Sequence, residues 1–246
     1  MFRRHQSGRL RFFGLYMRFA YDLFGWLRAS GGMYERRCNI CSHEGKFLAF
    51  GIPPRFDARC PRCGSMERHR LEALWISENR EKLDGKVILH FAPEEVIARL
   101  LKPHAAEYID GDKDARRAGM ALDLERINLE DESVDVVICN HVLEHVDDRR
   151  ALSEICRILR RNGLAIFTFP VVEGWDCTYE DPSITDKRLR TLHFGQYDHL
   201  RWYGRDVRQR IISAGLEIEE FTAKEPEVSR LSLTRGEKVF LLRRAS

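Results

Sequence analysis

The chain lacks any uninterrupted apolar stretch of the ~18–20 residues that a helix needs to cross a bilayer, so no spanning helix is expected. It has no internal repeat. It has little net charge, +3 over 246 residues, although 32% of those residues are charged. That small surplus sits at one end: residues 1–37 hold eight arginines against Asp22 and Glu35, which leaves the rest of the chain net negative. A body of that sign argues against a nucleic-acid partner. No secretory signal is expected either, because arginines interrupt the early apolar residues and no small-residue cleavage site follows. Nor is there a disulfide framework. The cysteines number seven, an odd count, and four of them form two Cys-x-x-Cys pairs, which points to metal ligation in a reducing, cytoplasmic setting.

What is present is enough for one α/β domain plus a small module, with 43% hydrophobic residues. Residues 1–32 alternate arginine with Phe12, Leu15, Phe19, Leu23 and Trp26 at helical spacing. A basic amphipathic helix of this kind lies in a membrane interface, peripheral to the inner face, or packs its aromatic stripe on the domain behind it. Residues 33–65 carry Cys38-x-x-Cys41, an 18-residue insert and Cys60-x-x-Cys63. Two such hooks bring four thiolates around one structural zinc ion, and Gly64 permits the tight turn that sulfur ligation imposes. His43 is off the spacing. Residues 66–85 read as a connecting helix whose Arg68, His69 and Arg70 either meet an anionic substrate or are simply solvated or paired.

From residue 86 the pattern is that of a parallel sheet. Val134-Asp135-Val136-Val137-Ile138-Cys139 is apolar at five of six positions, as in a strand buried on both faces. It ends at Asn140 and His141, at the edge where open α/β sheets bind ligands. Strands over 86–91, at 108–112 and at 120–123 end near His90, Asp112 and Asp123. A helix is expected over 147–161, with Asn162-Gly163 as its stop and a strand over 164–169. Residues 170–205 read as a long lid or substrate loop holding Asp198 and His199. A helix over 206–214 and two closing strands, 216–221 and 238–242, complete the chain.

The block from Asp135 through Asn140-His141-Val142-Leu143-Glu144-His145-Val146, followed by Ile155-Cys156-Arg157-Ile158-Leu159-Arg160-Arg161-Asn162-Gly163, resembles the class I S-adenosylmethionine-dependent methyltransferases, small-molecule type. The similarity covers residues 86–243. It implies a Rossmann-like seven-stranded sheet, six strands parallel and one antiparallel, beside the small zinc ribbon. It also implies methyl transfer from S-adenosylmethionine to a small-molecule or glycan-like acceptor. The alternatives are an inactive scaffold of the same fold, or an RNA methyltransferase whose zinc module grips RNA.

Carried over residue by residue, Asp112 meets the ribose hydroxyls, with Asp110 as competitor. Asp123 and Leu124 meet the adenine, and Asn140 faces the reaction centre with His141. His90, Phe91 and Ala92 stand where the family has an acid and a glycine-rich loop. Either the cofactor binds a modified pocket there or binding has been lost. The stretch Phe194-Gly195-Gln196-x-Asp198-His199-x-Arg201-x-Tyr203-Gly204 resembles bacterial methyltransferase-like proteins that also carry the paired cysteines. In it His199, oriented by Asp198, is a candidate general base with His141, or else is tied to the loop's own backbone. His141-x-x-Glu144-His145 also matches the metal pattern of inverted zinc proteases. Because the motif starts directly off a buried strand, His145 is read as a packing or hydrogen-bonding residue.

Overall fold

The structure, a computed structural model, describes residues 31–51 and 53–244, so the expected N-terminal amphipathic helix and its membrane contact lie outside the described residues. The described residues divide into two compact units, one of residues up to 70 with 224–235, the other of residues 71–223 with those from 236 on. The sequence reading placed 86–246 in one domain. Residues 224–235 instead belong with the first unit.

In the first unit β1 (Glu35–Arg37) pairs antiparallel with β2 (Glu44–Lys46), and β3 (Leu48–Phe50) with β4 (Arg55–Arg59). Phe47 is fully buried and packs with Cys38 and Cys60. Arg70 is also fully buried, which removes it from any substrate-binding role. Its guanidinium donates to the carbonyls of Ser65, Ala58, Leu231 and Ser232 at 2.6–2.9 Å and lies 4.8 Å over the Phe47 ring. A buried cation is tolerated only when its donors are met in this way. Arg36 donates to the Ser229 carbonyl at 2.6 Å, again holding the late segment. Helix α1 (Glu67–Glu78) enters the second unit at Leu71.

The second unit is a seven-stranded sheet in the order β12-β13-β9-β8-β5-β6-β7. Its strands are β5 (Lys86–Phe91), β6 (Ala105–Asp112), β7 (Met120–Ala121), β8 (Val134–Asn140), β9 (Leu159–Thr168), β12 (Leu216–Phe221) and β13 (Val239–Arg244). Only β13 runs antiparallel, with β12 and β9 as its neighbours. Six parallel strands and one antiparallel strand are what the sequence implied. The chain steps outward from β5 to β6 and β7, then returns to place β8 on the other side of β5. That reversal is a topological switch point, where the carboxyl ends of two strands splay to leave a crevice.

Helix α2 (Glu95–Leu101) follows β5, and α3 (Asp148–Ile158) follows β8. Asp147 caps α3 by accepting from the Arg149 and Arg150 N–H groups, and Ala151, Leu152, Ile155 and Ile158 form its buried face. They meet Leu89, Val137, Ala165, Phe167 and Phe240 of the sheet in one core.

Asn162-Gly163 does not stop a helix. α3 ends at Ile158 and β9 starts at once, pairing Leu159 with Val134, then Leu164 with Val136 after a register shift. Asn162, at φ 65°, sits in that irregularity. Between these two pairs β9 advances five residues against two of β8, so three extra residues bulge from β9.

Residues 170–205 are not one irregular loop. They hold β10 (Tyr179–Glu180), α4 (Lys187–Phe194) and β11 (Arg201–Trp202), with β10 and β11 antiparallel. Helix α5 (Val207–Ser213) follows. Arg201 and Tyr203 are buried, and both hold the segment after β8. Arg201 donates to the Val146 carbonyl at 2.6 Å and to Glu180 at 2.8 Å, while Tyr203 donates to the Leu143 carbonyl at 3.1 Å.

Candidate functional site

The switch point lies at the tips of β6, β5 and β8. Adjacent strands sit about 4.8 Å apart, so the three tips fall within about 10 Å of one another. His90 is fully buried at the end of β5, with Nδ1 hydrogen-bonded to the Tyr108 hydroxyl at 2.8 Å. Its Nε2 is buried and finds no partner among the described residues. Burial holds this imidazole neutral, lowering its pKa to about 4. Phe91 is buried beside it. Ala92 adopts φ 45° and donates its N–H to the Gly111 carbonyl at 2.8 Å. The backbone thus keeps a left-handed turn that favours glycine, though the residue is alanine.

Asp112 ends β6, next to the β5 tip. One oxygen accepts from the Asp114 N–H at 2.8 Å and the other lies 3.7 Å from Arg117, so further acceptor positions remain open. Asp110 instead accepts from the Gly119 N–H at 3.2 Å, which ties it to its own loop. Asp123 pairs with Lys113 at 2.9 Å and accepts from the Glu125 N–H, and Leu124 is buried after it.

Asn140 does not offer a free side chain. It donates to Glu72 Oε2 at 2.7 Å and accepts from the Thr168 hydroxyl at 2.8 Å, all within buried surroundings. Glu72 was not singled out in the sequence, because nothing in its helical spacing reveals a partner 68 residues away.

Beyond Asn140 the chain turns sharply. His141 has φ 52° and donates its N–H to the Thr168 carbonyl at 2.7 Å, and a single 3-10 turn covers Leu143–His145. No helix runs through His141-x-x-Glu144-His145, so the geometry of the inverted proteases is absent. His141 Nδ1 donates to Glu144 Oε1 at 3.2 Å, and its Nε2 is buried without a partner among the described residues. Glu144 is 1% exposed. Burial alone would raise its pKa, but the His141 hydrogen bond and the neighbouring imidazoles outweigh it and hold the carboxyl below its ordinary range.

His199 is brought here by the loop, with Leu200 donating its N–H to the Glu144 carbonyl at 2.9 Å. Asp198 does not orient His199. The ring donates from Nδ1 to the Phe194 carbonyl at 3.1 Å, whereas Asp198 lies 3.5 Å from His145 Nδ1. His145 and His199 pack edge to face at 4.6 Å. Ligating atoms of Glu144, His145 and His199 all lie within 4.8 Å of one another. A surface cavity of about 650 Å³ between α3 and α5, lined by Arg149, Ser153, Asp206 and Gln209, includes none of these residues.

The four sequence-predicted cysteines converge in the first unit. Cys38 and Cys63 Sγ are 3.6 Å apart, and Cys41 and Cys60 Sγ 3.7 Å. A zinc tetrahedron with ~2.3 Å bonds has edges of about 3.8 Å, so the donor set fits that ion and a zinc ribbon. Both hooks share one fold: Ser42 N–H donates to Cys38 O and Gly64 N–H to Cys60 O, each at 2.9 Å, with Ser42 at φ 57° and Gly64 at φ 74°.

Residues 96–167 match the family model described as "Methyltransferase domain". No curated protein matches the chain in sequence. Among solved structures, it is similar to a candidate methyltransferase in complex with the Haloferax volcanii Trm112 methyltransferase activator. That likeness has 15% identity and a TM-score of 0.53, over 73% of this chain and 91% of that one. It is also similar to an S-adenosylmethionine-dependent methyltransferase of Mesorhizobium loti, at 15% identity and a TM-score of 0.50, over 71% of this chain and 98% of that one. With one antiparallel strand among seven, a switch point at β5 and β8, and the methyltransferase-domain match across the centre of the sheet, the sheet unit of this chain has the fold of the class I S-adenosylmethionine-dependent methyltransferases.

Proposed function

We propose that this protein transfers a methyl group from S-adenosylmethionine to a small-molecule or glycan-like acceptor. The observation that carries the reading is the buried, unpartnered Nε2 of His90 at the switch point. An orphaned nitrogen in a dry site costs about 1–3 kcal/mol unless a ligand group meets it. The methionyl carboxylate is the group that fits that position, with His90 donating from Nε2 while Tyr108 serves Nδ1. Asp112 would hold the ribose hydroxyls with its open lone pairs. Asp123 would accept from the adenine amine, with the Leu124 N–H beside it. Phe91 and Ala92 would line the methionyl end.

When bound, the cofactor supplies an electrophilic methyl on a sulfonium, and the chain's task is to align the acceptor in line with it. His141, fixed through Nδ1, keeps Nε2 able to take the acceptor's proton. His199, whose Nδ1 donates to the Phe194 carbonyl, keeps Nε2 as its basic nitrogen in the same way. The four cysteines would hold zinc structurally, because four protein ligands leave no open position. The negative body of the sheet unit supports an acceptor other than RNA.

A second reading, a scaffold that binds no cofactor, is favoured by two observations: Ala92 in place of glycine at φ 45°, and Asn140 engaged by Glu72 and Thr168. Isothermal titration with S-adenosylmethionine separates the two. The transferase reading expects binding to the wild type, abolished by Asp112→Ala. Absence of heat with the wild type would replace it with the scaffold.

A further inference from the structure

We propose that Glu144, His145 and His199 form a second metal site, separate from the four cysteines, that binds one divalent transition-metal cation. Their ligating atoms lie within 4.8 Å of one another. Nitrogen and oxygen ligands at ~2.0–2.2 Å from one cation sit about 3–3.5 Å apart, so small side-chain rotations close the site. Each donor is already prepared. The Phe194 carbonyl engages His199 Nδ1 at 3.1 Å, and Asp198 lies 3.5 Å from His145 Nδ1, which leaves Nε2 as the remaining nitrogen of each ring. Backbone carbonyls and carboxylates behind metal-bound imidazoles commonly fix the tautomer in this way. Glu144 takes the His141 N–H on Oε1, while its Oε2 is buried and has no partner among the described residues. A carboxylate oxygen left dry and unmet is costly, and a cation removes that cost.

The surrounding chain holds the donors together. Leu200 N–H to Glu144 O at 2.9 Å and Arg201 to Val146 O at 2.6 Å join two segments far apart in sequence. Two imidazoles and one carboxylate suit zinc, iron(II), cobalt or manganese better than magnesium or calcium, which prefer oxygen. Three protein ligands also leave a coordination position open, unlike the cysteine site. If the methyl-transfer reading holds, that position would take an oxygen of the acceptor; the site itself does not depend on that reading.

The test uses the full chain loaded with Zn²⁺ and desalted, with zinc counted by mass spectrometry and its ligands read by X-ray absorption. The wild type is expected to carry two zinc ions, one in a sulfur shell and one in a nitrogen and oxygen shell. His145→Ala and His199→Ala are each expected to carry one, in sulfur only. His199→Cys keeps a ligand and is expected to retain the second zinc with one added sulfur, which a folding defect would not produce. A single sulfur-bound zinc in the wild type, or a second zinc that survives both alanine substitutions, overturns the proposal. Neither result bears on S-adenosylmethionine binding, which is measured separately.

Discussion

Acidification should act on the sheet unit through His90. This imidazole is buried, and desolvation lowers its pKa from 6.5 to about 4. In the unfolded chain it would bind its proton near pH 6.5, but in the folded chain only near pH 4. Between those values the unfolded state binds more protons, so stability falls as the pH falls. The window spans about 2.5 pH units at ~1.4 kcal/mol each, or about 3 kcal/mol in all, fully present above pH 6.5 and lost by about pH 4. The effect is isolated by difference against His90→Gln, which leaves every other titrating group in place. Urea unfolding of the cofactor-free protein at several pH values, followed by circular dichroism, should give the wild type the steeper loss. Nitrogen-detected NMR of the ring should show Nε2 and Nδ1 titrating near pH 4. Parallel stability curves for wild type and variant, or a ring that titrates near 6.5, would refute the argument.

Three further outcomes are expected. Ala92→Gly relieves a left-handed backbone at φ 45° and should raise the urea midpoint, by about 1 kcal/mol of stability; a lower midpoint would contradict the strain. Arg201→Ala removes a buried guanidinium from Glu180 and from two carbonyls. It should cost about 3–5 kcal/mol and deprotect the Leu200 amide in hydrogen exchange, and unchanged protection would count against the clamp. Removing zinc from the cysteines with a strong chelator should unfold the first unit and speed proteolysis between residues 42 and 59, as Cys38→Ala should; a protease pattern insensitive to chelation would deny the metal a structural role.

The sheet was legible because β5 and β8 are short apolar runs with a defined end, and because β12 alternates apolar with acidic residues. The runs over Lys86–Phe91, Val134–Asn140 and Leu216–Phe221 appear where they were expected. The cysteine cluster was legible because its ligands come in local pairs. What escaped was set by distant partners. Arg70 looked like a surface cation beside Arg68, and only carbonyls from residues 58, 65, 231 and 232 make its burial possible. Asn162-Gly163 carried a helix-stop signal, but Leu159 before it and Leu164 after it pair with β8, so the strand runs through it. His145, read as a packing or hydrogen-bonding residue, does pack, but its partner escaped: His199 lies 54 positions on, in a loop held by Arg201 and Tyr203.

The return of residues 224–235 to the first unit bears on how the protein can be divided. The excursion leaves from between the last two strands, and its two ends are stitched by the Thr222 hydroxyl bonding the Glu237 carbonyl at 2.9 Å. A cut at residue 70 would therefore leave Val228, Leu231 and Leu233, all buried in the intact chain, on a fragment without their own module. Trimming the excursion to a tight turn from Ala223 to Gly236 is the cleaner excision. The same anatomy means the cysteine module is no simple appendage at one terminus: it was built from both halves of the polypeptide.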